Sequence, residues 1–99
     1  MAKFDVCLGT ESETLLLDVQ ADLLDALNTR MVVPLMAVGK APVPAKLLNP
    51  VFAIDGAEYV MATQFMAAVP RTILRDPDTS LKDRSEEITT AIDMLTQGF

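Results

Sequence analysis

The sequence predicts a mainly β chain closed by one C-terminal helix, a small β barrel or curled sheet with the helix packed on it. Three observations carry this. Short apolar runs, several of them alternating, recur between turn residues from Phe4 to Leu74. Asp55-Gly56 stands between two of these runs, and a type I′ hairpin turn needs φ > 0 at both central positions. Only the last stretch, Asp83 to Phe99, has a clear helical period: Ile88, Ala91, Ile92 and Leu95 fall at i, i+3, i+4 and i+7. Short strands followed by one helix make a β framework with the helix laid against it.

Taken in order, Phe4, Val6 and Leu8 alternate with Asp5 and Cys7 as a short strand. Gly9 to Glu13 is a polar turn. Leu15, Leu17, Val19 and Ala21 then alternate with Leu16, Asp18, Gln20 and Asp22, a half-buried strand that returns antiparallel as a hairpin. Leu23 and Leu24 fall where that strand should end. They either fold back onto the core or form an exposed apolar pair at a binding surface, and the residues alone favour the first. Arg30 to Val38 is a β-branched apolar run, read as a strand covered on both faces. Pro34 cannot donate to a ladder, so it predicts an edge or a bulge. Ala41 to Lys46, with two prolines, is a loop. Val51 to Ile54 and Glu58 to Ala62 form the Asp55-Gly56 hairpin. Phe65 to Leu74 is a strand or strand pair broken near Pro70, and Arg75 to Ser80 is a polar loop leading to the helix. Asp83 with Glu86 is one capping-box start; Ser80 with Asp83 is another, one turn earlier, and the sequence does not choose between them. Gly98 is the stop signal, because glycine enters the left-handed C′ conformation without steric cost.

At 99 residues the chain predicts one domain, spanning 1–99, with a single modest core. A hydrophobic fraction of 51% is high for that size, and a homodimer is the simplest cover for the excess. The formal charge of −6 argues against direct nucleic-acid binding, which draws on Lys and Arg against phosphates. It suits a partner with a basic surface instead. Cys7 is the only cysteine; inside an apolar alternation it reads as a small buried hydrophobe. Neither a leader-like apolar run nor a membrane-length segment is expected, so a reducing cytoplasm is the expected compartment.

Catalytic chemistry has little to work with. There is no His, no Gly-rich phosphate loop and no metal-ligand spacing, so no cofactor or metal is expected. Asp76 and Asp78 read as a solvated loop, and Glu86 and Glu87 as a helix N-terminus, where negative charge suits the dipole. Arg30, Arg71, Arg75 and Arg84 would need to meet in space to matter, and an Arg–Asp acid is the one catalytic device left open. Elimination therefore points to a binding protein rather than an enzyme.

The order of motifs goes further. Leu17-Asp18-Val19-Gln20 with Asp22, the run Arg30-Met31-Val32-Val33-Pro34-Leu35, Met66-Ala67 with Val69-Pro70, and Ala91-Ile92 with Gly98 resemble the CcdB family of bacterial toxins along nearly the whole chain. The ending, Gly then one bulky apolar residue, also matches. The resemblance implies an SH3-like β barrel with a long C-terminal helix, and a homodimer. It implies a toxin that binds the A subunit of DNA gyrase, traps the cleaved complex with DNA, and is neutralised by a CcdA-like antitoxin. The family's gyrase-binding positions carry onto Asp93, Thr96, Gln97, Gly98 and Phe99, with Leu23 and Leu24 adjoining.

The tip departs from the family pattern. Poisoning members have an aromatic pair, the second a Trp, just before the terminal Gly; here stand Thr96 and Gln97, and the chain has no Trp. The family's Asn is Asp93 and its terminal aliphatic is Phe99. An interface Trp is worth roughly 2–4 kcal/mol, about 30- to 1,000-fold in affinity. The alternatives are therefore a CcdB-fold homologue that dimerises and binds antitoxin without poisoning gyrase, and, further off, an mRNA interferase on a related barrel.

Overall fold

The strand Thr29–Ala37 (β3) organises the sheet, and its burial explains its composition. Val32 and Val33 are neighbours pointing to opposite faces, yet both are buried, so both faces are covered, as an uninterrupted apolar run predicts. The computed structural model describes residues 2–9, 14–41 and 43–98. The expected turn at 10–13, Pro42 of the expected loop, and Phe99 lie outside the described residues.

Six further strands gather around β3: β1 (Asp5–Leu8), β2 (Thr14–Asp18), β4 (Val51–Ile54), β5 (Ala57–Met61), β6 (Ala67–Pro70) and β7 (Thr79–Ser80). All pairings are antiparallel, in the order β4-β5-β3-β2-β1-β7, with β6 also on β3. The first two strands form the expected hairpin, with Val6 opposite Leu17. At the second hairpin Ile54 opposes Ala57, and Asp55 and Gly56 take φ of 51° and 82°, the I′ signature. The fold is a curled antiparallel sheet with one C-terminal helix.

Two strand expectations need correction. Pro34 is not at an edge, because β3 is central, and the register of β3 against β2 runs through Leu16 opposite Pro34 without a bulge. Its first half pairs with β6 (Thr29 opposite Pro70 to Val32 opposite Ala67), and its second half pairs with β5 (Leu35 opposite Met61 to Ala37 opposite Tyr59). Pro34 sits where the partner changes, and its carbonyl accepts from Ala62 N at 2.9 Å. In an extended strand the N and C=O of one residue point to the same side. The missing N–H therefore faces the break between β5 and β6, where no ladder bond is owed. The second correction concerns Arg75 to Ser80. Its end is a short strand, β7, whose Thr79 and Ser80 lie opposite Val6 and Asp5.

One face of the sheet holds the core. Val6, Leu15, Leu17, Val33, Leu35, Phe52, Ile54 and Met61 pack there with Leu81, Ile88 and Ala91. The helix α1 spans Ser85–Gln97 behind a 3-10 turn at Lys82–Arg84. Neither capping box forms: the helix has no side-chain cap, and Ser80 Oγ instead accepts from Lys82 N at 3.2 Å. The first turn is held otherwise. Arg84 donates from Nε and Nη2 to Glu87 at 2.5 and 2.9 Å, and its guanidinium lies 4.9 Å from the Phe52 ring centre. That bonding holds the Glu87 carboxyl below its ordinary value. At the other end Gly98 takes φ 81°, and its N–H reaches Asp93 O and Met94 O, the expected stop.

The apolar stripe is shorter than its period suggests. Ile88 and Ala91 are fully buried and Ile92 half-buried, but Leu95 is 40% exposed and stands outside the core cluster. Ile88→Ala should therefore cost about 2–5 kcal/mol in chemical denaturation, whereas Leu95→Ala should stay within about 0.5 kcal/mol.

Candidate functional site

On the second face of the sheet the structure buries a charge. β2 alternates, so Leu16, Asp18 and Gln20 point away from the core, where the sequence pattern places them in water. Asp18 is 0% exposed and Arg30 1%. Arg30 Nε donates to Asp18 Oδ2 at 2.8 Å, and Nη2 lies 2.6 Å from the same oxygen without hydrogen-bond geometry, its N–H having no other acceptor among the described residues. The other carboxylate oxygen accepts from Gln20 N at 2.9 Å. Burial pushes the Asp18 carboxyl up, and the bonds from Gln20 and Arg30 pull it back. Gln20 then spends both ends of its amide: Oε1 accepts from Met31 N at 3.0 Å, and Nε2 donates to Leu24 O at 2.9 Å.

The network ends on the loop after β2, a 3-10 turn at Asp22–Leu24 running on to Asn28. Every stretch of this loop is tied. Lys3 N donates to Asp22 Oδ1 at 2.8 Å, and Arg30 Nη1 to Asp25 Oδ1 at 2.9 Å. Arg71 Nη1 donates to Asp25 O at 2.9 Å and Leu27 O at 3.4 Å, and Arg71 N to Asn28 O at 2.9 Å. With its backbone so held, the loop does not fold its leucines back. Leu23 is 94% exposed, and Leu24 and Leu27 are each 47% exposed. The expectation that Leu23 and Leu24 return to the core is overturned: the polar network, not apolar burial, anchors this segment.

The remaining candidate residues lie at the end of α1. Asp93 is half-buried, and its carboxylate has no partner among the described residues; Thr96, Gln97 and Gly98 are exposed. Thr96 Oγ1 donates back to Ile92 O at 2.9 Å, so its hydroxyl proton is used within the helix. Phe99, the last expected contact, lies outside the described residues. No hydrogen bond or ion pair among the described residues joins Leu23 or Leu24 to this tip. The structure therefore presents two apolar-rimmed patches, and exposed Leu27 and Leu95 extend them beyond the residues the sequence singles out. Sequence pattern does not single out Leu27 or Leu95, since exposure is set by packing between distant parts of the chain.

Of the residues with chemical potential, Cys7 is fully buried in β1 and desolvation pushes its thiol up, which suits a small hydrophobe and not a nucleophile. Arg30, Arg71 and Arg75 do meet, with Asp76, around a cavity of about 200 Å³, while Arg84 stands apart at the helix start. Arg30 is committed to Asp18 and Asp25, and Arg71 to loop carbonyls. Asp18→Asn leaves the buried Arg30 charge with the largely exposed Asp25 carboxylate alone, so unfolding free energy should fall by up to about 3–5 kcal/mol, read by urea denaturation.

A family model described as CcdB protein matches residues 3–98 of this 99-residue chain. The match takes in the buried Asp18–Arg30 pair, the tied loop and the Gly98-capped helix together, and by it the chain belongs to the CcdB family of toxins.

Proposed function

We propose that this chain binds the A subunit of DNA gyrase through Leu23 and Leu24 and through the helix tip, Asp93, Thr96, Gln97, Gly98 and Phe99, and so traps the DNA-cleavage complex. In this reading residues 1–99 act as one toxin domain. It works as a homodimer in the cytoplasm and is neutralised by a CcdA-like antitoxin. The observation that carries the reading is Leu23, a leucine 94% exposed on a loop tied at every stretch by hydrogen bonds. An apolar side chain held in water by a rigid backbone suits an interaction surface, because little ordering is left for the partner to supply. Inhibition of this kind needs no catalytic group, only complementary surface.

One observation favours a second reading. Thr96 and Gln97 replace the aromatic pair of poisoning members, and the Thr96 hydroxyl already donates within the helix. A tip so depleted of area fits a homologue that dimerises and binds antitoxin while sparing gyrase.

Binding to a purified gyrase A fragment separates the two. Leu23→Asp should weaken wild-type binding by about 30-fold or more without lowering Tm, since the side chain touches no core. Gln97→Trp should tighten binding by about tenfold or more, the lower range of an interface Trp. No gain from the tryptophan would mean a rebuilt tip, not a weakened one. Induced expression that leaves growth untouched, with the antitoxin complex intact, would decide for the second reading.

A further inference from the structure

Arg71 lies 46 residues from Asp25 in sequence, beyond β6, yet its guanidinium ends on the candidate docking loop. Nη1 donates to Asp25 O at 2.9 Å and Leu27 O at 3.4 Å, and its own amide donates to Asn28 O at 2.9 Å. The loop has two other side-chain ties downstream of Asp22, from Gln20 Nε2 and Arg30 Nη1, and both of those residues are buried in the Asp18 network. Removing either breaks the fold's polar interior. Arg71 differs in being exposed, and its bonded guanidinium nitrogen touches loop carbonyls alone.

We propose that Arg71 is a positioning residue: it holds the 22–28 backbone in the form that presents Leu23 and Leu24, and does little for the rest of the fold. This rests on the reading of Leu23 and Leu24 as docking residues. The physical reason is the loop's composition. Three leucines exposed on six residues, Asp22 to Leu27, gain by turning inward, and only a backbone fixed from outside denies them that. Two carbonyls of the loop's return limb receive their bonds from a single guanidinium nitrogen, Nη1. Holding the loop before contact spares a partner the ordering cost.

The experiment compares Arg71→Ala, Arg71→Lys and Arg75→Ala in the full chain. Arg75 lines the same cavity, and its side chain has no hydrogen-bond partner among the described residues. Amide exchange of Leu24, Asp25 and Leu27, whose N–H groups bond within the loop, is the first readout. Arg71→Ala should speed it by about three- to tenfold, the worth of a hydrogen bond, with Tm unchanged. Arg71→Lys should recover part of the protection, and Arg75→Ala should match wild type. Affinity for the gyrase A fragment should fall in the same order, mainly through a slower on-rate. Unchanged loop exchange in Arg71→Ala would overturn the proposal, as would faster exchange throughout the sheet with a lowered Tm. Wild-type protein that fails to bind the fragment at all would sink the gyrase reading, while the exchange result would still decide whether Arg71 holds the loop.

Discussion

The buried pair between Asp18 and Arg30 is the interaction on which the rest of the molecule depends. Two charges out of water gain little by themselves, because desolvation offsets most of their attraction. What they obtain here is placement. Asp18 closes β2 and Arg30 is the second residue of β3, so the pair joins the two strands just where the ladder between them ends. Gln20 completes the arrangement by bonding the Met31 amide on one side and the Leu24 carbonyl on the other. The polypeptide between Asp18 and Arg30 is thereby tied off as a loop with a fixed outline. Its leucines stay in water as a consequence.

A second constraint acts on the same strand. β3 serves three neighbours, β2 along one side and β6 then β5 along the other. A proline is tolerated in so central a strand because it stands at the handover between partners, with its nitrogen toward the break. At that break Thr63–Phe65 forms a 3-10 turn between β5 and β6. Thr63 is fully buried there, and α1 packs over this turn. The buried helix residues, Ile88 and Ala91, lie in its first half, and Leu95, Thr96, Gln97 and Gly98 at its end are exposed.

Membership of the CcdB family and the departures at the tip pull on function from opposite sides. The loop holds Leu23 and Leu24 in solvent, and the scaffold beneath it falls within the stretch that matches the family. The tip has given up aromatic area for a threonine that bonds inward and a glutamine with no bond of its own among the described residues. Affinity in such surfaces concentrates in a few desolvated aromatic or arginine contacts. A change of two residues at the tip can therefore alter which partner is held without disturbing the fold that presents them.

Residue pattern by itself determined the local elements. The Asp55-Gly56 turn, the first hairpin and the helix stop at Gly98 follow from rules acting within a few residues and are found where those rules put them, and the strand read over 30–38 is found over 29–37. The motif order also determined the family. Tertiary structure alone decided which polar residues are interior and which apolar ones are not. Asp18 reads as solvated by parity, and becomes buried because Arg30 meets it across the sheet; Leu24 reads as core, and stays out because Gln20 and Arg71 hold its loop. Leu95 keeps the helical period yet stays outside the core cluster, 40% exposed. The reason is common to all three. Periodicity records which side of an element a residue is on, but burial depends on what arrives opposite that side, and those partners come from distant parts of the chain.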